Sequence, residues 1–154
     1  MLTVAEFRAL QAAIRENPLP FMASGLTIRT KQHEGQAPTT TLDVNLPQQK
    51  VHDALWGMRR QGKPPRAIVL KARQPGISTY CSGINVVTKL TQPFTITMTI
   101  AHVEDGATNL FQREKFMVSR LPLGIRPKMK GDRKGHIDFD YVQCRDGRVE
   151  LSSE

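Results

Sequence analysis

Residues 71–79, Lys-Ala-Arg-Gln-Pro-Gly-Ile-Ser-Thr, hold the side chains of this chain best suited to handling an anion. Lys71 and Arg73 supply fixed positive charge, Ser78 and Thr79 supply hydroxyls, and Gly76 lets the backbone come close to a ligand. Just before them, Ala67, Ile68, Val69 and Leu70 form a short apolar, partly β-branched run of the kind found in buried parallel strands. Just after them, a segment begins that reads as a helix. Strand, tight cationic loop and helix start make a phosphate-binding turn, because the first N–H groups of a helix are unpaired and carry a partial positive charge. The Arg73 fork suits two phosphate oxygens, Lys71 stands at the strand end as the other cation, and Ser78 or Thr79 offers a hydroxyl to Mg²⁺.

Measured against the phosphate-loop pattern G-x-x-x-x-G-K-[ST], the stretch deviates. Gly76 and Ser78 fit, whereas Lys71 occupies the first glycine position and Ile77 replaces the lysine. On spacing alone it reads equally well as a basic, solvated strand-to-helix loop. Upstream, Asn45 is suited to cap a helix in which Pro47 sits near the start, where its missing N–H costs nothing. That places Gln48 and Gln49 in the first turn. An amide side chain carries both a donor and an acceptor and can pair with both edge groups of adenine, though two such glutamines also suit a solvated surface.

Taken together, these segments resemble the phage large terminase subunits, ATPases that pump DNA into procapsids. KARQPGIST is similar to the K-x-R-Q-x-G-x-S-T loop that commonly replaces the standard motif there. The likeness extends to Leu26-Thr27-Ile28-Arg29-Thr30-Lys31, to Asn45-Leu46-Pro47-Gln48-Gln49 with Val51-His52, and from Thr99-Ile100-Ala101-His102 on to Leu121-Pro122, and so spans residues 26–122. The resemblance implies ATP with Mg²⁺ as cofactors. Phosphates would lie over Lys71, Arg73, Gln74, Pro75, Gly76, Ile77, Ser78 and Thr79. Adenine would lie on Gln48 (Gln49 as the fallback), and Mg²⁺ at Ser78. Lys71 and Arg73 become the catalytic cations, stabilising charge during phosphoryl transfer. Double-stranded DNA, a small terminase subunit, the portal protein and further copies of the chain in a homo-oligomeric motor are the implied partners, in the cytoplasm of a bacterial host.

Composition sets independent limits. The 154 residues are long enough for one domain with a real core, and 39% hydrophobic with 23% charged residues describes a soluble globular chain. Twenty-two Lys and Arg against 14 acids give a net charge of +8, which favours a polyanionic partner, nucleic acid first. The two cysteines, Cys81 and Cys144, are too far apart to read as a metal-ligand pair and point to a reducing compartment. No apolar run is long enough for a membrane span, and the N-terminus lacks a signal-peptide core.

In chain order, Thr3-Val4-Ala5-Glu6 is a capping box, and Val4, Phe7, Leu10 and Ile14 keep helical spacing until Asn17-Pro18 stops the helix. Residues 26–30 and 41–44 read as strands of a small hairpin around the polar loop 33–41. Val51, Ala54, Leu55 and Met58 line one face of the next helix, with Trp56 in core or interface, and Gly62 closes it among Arg59, Arg60, Lys63 and Arg66. Residues 77–90 read as a crossover helix between strands 67–71 and 94–101. Asp105 reads as the cap of a helix carrying Ala107, Leu110, Phe111, Met117, Val118 and Leu121. Residues 123–135 are a basic, glycine-containing loop, and residues 136–151 a β-hairpin turning at Asp146-Gly147.

The expected fold is therefore α/β: a partial parallel-sheet core like that of P-loop NTPases, preceded by an N-terminal helix and small hairpin and followed by a β-hairpin. Residues 1–44 form the N-terminal segment. Residues 45–154 form the first part of an ATPase domain, ending before the Walker B acids and the nuclease domain that the resemblance leads one to expect. Without those acids the chain is expected to bind ATP rather than turn it over. Two other classes stay open: a basic nucleic-acid-binding module that uses the glycine loop without a nucleotide, and a fragment of another P-loop ATPase such as a helicase.

Overall fold

In the computed structural model, Thr3 caps the first helix, α1 (Val4–Glu16), accepting from the Glu6 N–H at 3.2 Å while the Glu6 carboxylate takes the Thr3 N–H at 2.7 Å. The structure describes residues 3–30, 38–72, 75–92, 95–122, 124–127, 129–133, 136–139, 143–145 and 148–150. Asn17 ends α1, and a short helix that the sequence reading lacked, α2 (Leu19–Gly25), follows with a proline in its first turn. Strands β1 (Thr27–Arg29) and β2 (Thr39–Thr41) pair antiparallel with Ile28 opposite Thr40. A hairpin forms as expected, but its second strand lies within the expected polar loop, and residues 42–44 are outside helix and strand. The Leu42 N–H donates to the Leu26 carbonyl at 2.8 Å, which carries the pairing into the core, where both side chains are buried.

Three long helices complete the core: α3 (Leu46–Arg60), α4 (Ile77–Thr91) and α5 (Glu104–Ser119). α4 packs against both α1 and α5. Its Tyr80, Val86 and Val87 meet Ile14, Met22, Leu26, Leu42, Met117, Val118 and Leu121 in one buried cluster. Fully burying a side chain of this kind contributes roughly 1.5–3 kcal/mol. Gly83 makes the fit possible: a Cβ there would lie 2.6 Å from Leu42 Cδ2 and 2.7 Å from Met22 Cε.

The parallel-sheet core expected from the sequence is not what the described residues form. Every described ladder is antiparallel and two-stranded. Residues 67–71, and residues 95–101 of the second expected strand, lie outside helix and strand; Phe94 lies outside the described residues. Ile68 and Leu70 are each 95% exposed and Ile96 is 90% exposed. A parallel sheet holds only when both faces are covered. Here the helices cover one another instead. In 95–101, Thr95 and Thr97 are half-buried while Ile96, Met98 and Ile100 face outward.

Smaller corrections follow the same lines. Val103, not Asp105, occupies the cap position of α5, with Glu104 and Asp105 in its first turn. The basic stretch 123–135 is not all loop: β3 (Met129–Arg133) pairs antiparallel with β4 (His136–Phe139), with an irregularity between Met129 and Gly131. A second hairpin joins β5 (Gln143–Arg145) to β6 (Arg148–Glu150). The single hairpin expected over 136–151 is thus split between two. The turn at Asp146-Gly147 and residues 33–37 of the polar loop lie outside the described residues. No described helix is long and apolar enough to cross a membrane.

Candidate anion-binding site

Gly76 stands at the N-cap of α4 with φ +73, the left-handed region that favours glycine. Its carbonyl accepts from the Thr79 and Tyr80 N–H groups, each at 3.0 Å, while no described residue accepts from the amides of Ile77 or Ser78. No side chain caps α4, and its first turn holds no acid. The other long helices differ. α1 and α3 close with capping boxes, and α5, also without a side-chain cap, carries Glu104 and Asp105 in its first turn. α4 is therefore the one long described helix whose positive end is neither capped nor countered by an acid.

The sequence-predicted residues are only partly brought together. Ser78 is exposed, Thr79, Pro75 and Gly76 are half-buried, and Ile77 is buried in the core. Lys71 is exposed at the entry to the loop. Arg73 and Gln74 lie outside the described residues.

Gln48 takes a place the sequence reading did not foresee. It is only 4% exposed, and both ends of its amide are used. Nε2 donates to the Gly76 carbonyl at 2.8 Å, and Oε1 accepts from the Asn45 N–H at 2.8 Å. The Asn45 side chain completes the capping box by accepting from the Gln48 N–H at 3.1 Å, and its Nδ2 donates to the Pro75 carbonyl at 3.2 Å. The start of α3 thus grips the loop ahead of α4. Asn45 and Gln48 stand three apart, the spacing of a capping box, so the signal was present in the sequence. Gln49 is half-buried and donates to Asp53 at 2.8 Å.

Behind the loop, the fully buried Tyr80 meets His52 of α3, the hydroxyl 3.0 Å from Nδ1. Burial holds the imidazole below its ordinary pKa, with Arg60 acting the same way and Asp53 opposing, and it pushes the Tyr80 hydroxyl well up. His52 also stacks on Trp56 at 4.2 Å, and the Trp56 indole N–H donates to the Glu16 carbonyl at 2.7 Å. Trp56 therefore packs between helices, as expected. A second polar cluster had no signal in residue spacing. Buried Glu114 of α5 receives Lys89 Nζ at 2.7 Å and Asn85 Nδ2 at 3.0 Å from α4, and Asn85 also donates to Thr99 at 3.1 Å.

Among the described residues no group of three His, Cys, Asp or Glu side chains is placed to hold a metal ion. What the arrangement offers chemically is an anion seat: backbone N–H donors, a helix dipole, and hydroxyls at Ser78 and Thr79. Comparison with family models, with curated proteins and with solved structures finds no match to this chain.

Proposed function

We propose that the open end of α4 takes the phosphates of a nucleotide, and that the chain serves as the ATP-binding part of a terminase-like motor. The observation that carries this reading is the uncapped, acid-free N-terminus of α4 directly after a loop that contains Lys71 and Arg73. The resemblance of KARQPGIST to the terminase loop supplies the ligand, ATP. Mg²⁺ would sit between phosphate oxygens and the Ser78 hydroxyl, the exposed oxygen of the first turn. Double-stranded DNA, the small terminase subunit, the portal protein and further copies of the chain are the partners this reading carries. The test is titration of a fluorescent ATP analogue with Mg²⁺. Arg73→Ala removes a charge-assisted contact worth roughly 1.5–3 kcal/mol, so affinity falls about ten- to a hundredfold. Equal affinities would remove Arg73 from the site.

A second reading, a basic nucleic-acid-binding module that needs no nucleotide, is favoured by the +8 charge alone. Salt-dependent DNA binding indifferent to ATP would select it.

A further inference from the structure

Residues 54–103 contain no Asp or Glu, yet they carry Arg59, Arg60, Lys63, Arg66, Lys71, Arg73 and Lys89. Of the described cations in that stretch, Lys89 alone has an ion-pair partner, Glu114 in the core. The others, from the last turn of α3 to the entry of the phosphate loop, are exposed, as is every residue from 61 to 72. Hydrogen bonds from Gly62 to Arg59 and from Lys63 to Met58 wrap the chain tightly around the end of α3. Arg59, Arg60 and Lys63 are therefore held within one turn of each other, and Gly62, at φ +70, permits the reversal.

The helix dipole accounts for cations in the last turn of α3, but not for Lys63, Arg66 and Lys71 beyond it. Clustered positive charge without local acids costs stability through self-repulsion, which a polyanion relieves. We propose that Arg59, Arg60, Lys63, Arg66 and Lys71 form a contact surface for the phosphate backbone of a nucleic acid. The cations lie along an irregular, exposed segment rather than on the polar face of an amphipathic helix, the arrangement that suits a membrane surface. Contacts to the phosphate backbone carry no sequence information, so binding through them is indifferent to sequence and strongly dependent on salt.

The surface shares Lys71 with the nucleotide reading, but Arg59, Arg60, Lys63 and Arg66 lie outside the phosphate loop, and its test uses no nucleotide. A fluorescein-labelled duplex and a single strand of the same length are titrated with the full chain across about 50–200 mM salt, and anisotropy gives the slope of log affinity against log salt. Lys63→Glu/Arg66→Glu alters two exposed side chains outside the phosphate loop, with circular dichroism confirming an unchanged fold. Removing two phosphate contacts lowers the slope by about 2, so the loss of affinity from the low to the high end of that salt range shrinks about tenfold, while Arg8→Glu on α1 changes little. An unchanged slope in the double variant overturns the proposal, as does an equal loss in Arg8→Glu. Binding to phosphatidylserine vesicles but to neither nucleic acid also overturns it.

Discussion

Gly76 and Gln48 form the tightest unit at the site. A Cβ on Gly76 would lie 2.6 Å from Gln48 Nε2, in a backbone conformation that already disfavours any other residue. Gly76→Ala is expected to cost about 1–3 kcal/mol in chemical denaturation and to loosen the loop. Gln48→Ala leaves the Asn45 N–H without its partner and takes one of three donors from the Gly76 carbonyl, again about 1–3 kcal/mol. Because its Nε2 holds the loop at Gly76 while its Oε1 is taken by the Asn45 N–H, Gln48→Ala is expected to weaken ATP and GTP in parallel. A competition assay in which ATP alone loses affinity would return Gln48 to reading the base. His52 adds a pH dependence. Its folded pKa lies below the unfolded value, so the unfolded chain binds more protons and stability rises with pH. The contribution is complete above the ordinary histidine range near 6.5 and is lost as pH falls from there toward the folded value. Melting temperatures from pH 7.5 to 5 should fall more steeply for the wild type than for His52→Gln; equal slopes would assign the acid loss elsewhere.

At the scale of elements, α4 is held from two sides: α3 grips its first turn through Gln48 and His52, and α5 meets its last turns through Glu114. Lys89→Ala leaves a buried carboxylate with only Asn85 and Thr99 as partners, and is expected to destabilise by about 3–5 kcal/mol. Lys89→Leu/Glu114→Leu should recover most of that loss in urea unfolding; failure to recover would mean the pair has a role beyond mutual neutralisation. The long helices were legible because their signals are local: the capping pair Thr3 and Glu6, Asn45 before Pro47, Gly62 after the last turn, and apolar spacing along α1, α3 and α5. The sheet was not. Residues 67–70 and 95–101 have strand-like composition, but a strand exists only with a neighbour, and whether a neighbour lies beside it is a property of the whole fold. The site was half legible. Residue types announced the loop at Gly76, whereas the commitment of Gln48 to that loop, and the meeting of Lys89 with Glu114, depend on how α3 and α5 pack on α4.

The described residues form a helical core with small antiparallel hairpins and leave one long-helix end open after a basic segment, in a chain of net charge +8. The proposed role of this end, the N-terminus of α4, is to seat phosphate. Amide chemical shifts report the claim most directly, since at 17.3 kDa the chain is small enough for residue-by-residue assignment. Nitrogen-15-labelled protein is titrated with Mg²⁺ and ATP, and in parallel with inorganic phosphate. Saturable shifts centred on the Ile77 and Ser78 amides are expected, larger for ATP, and carried weakly by phosphate alone. Shifts confined to the surface from Arg59 to Arg66, or none at Ile77 and Ser78 at saturating nucleotide, would contradict it.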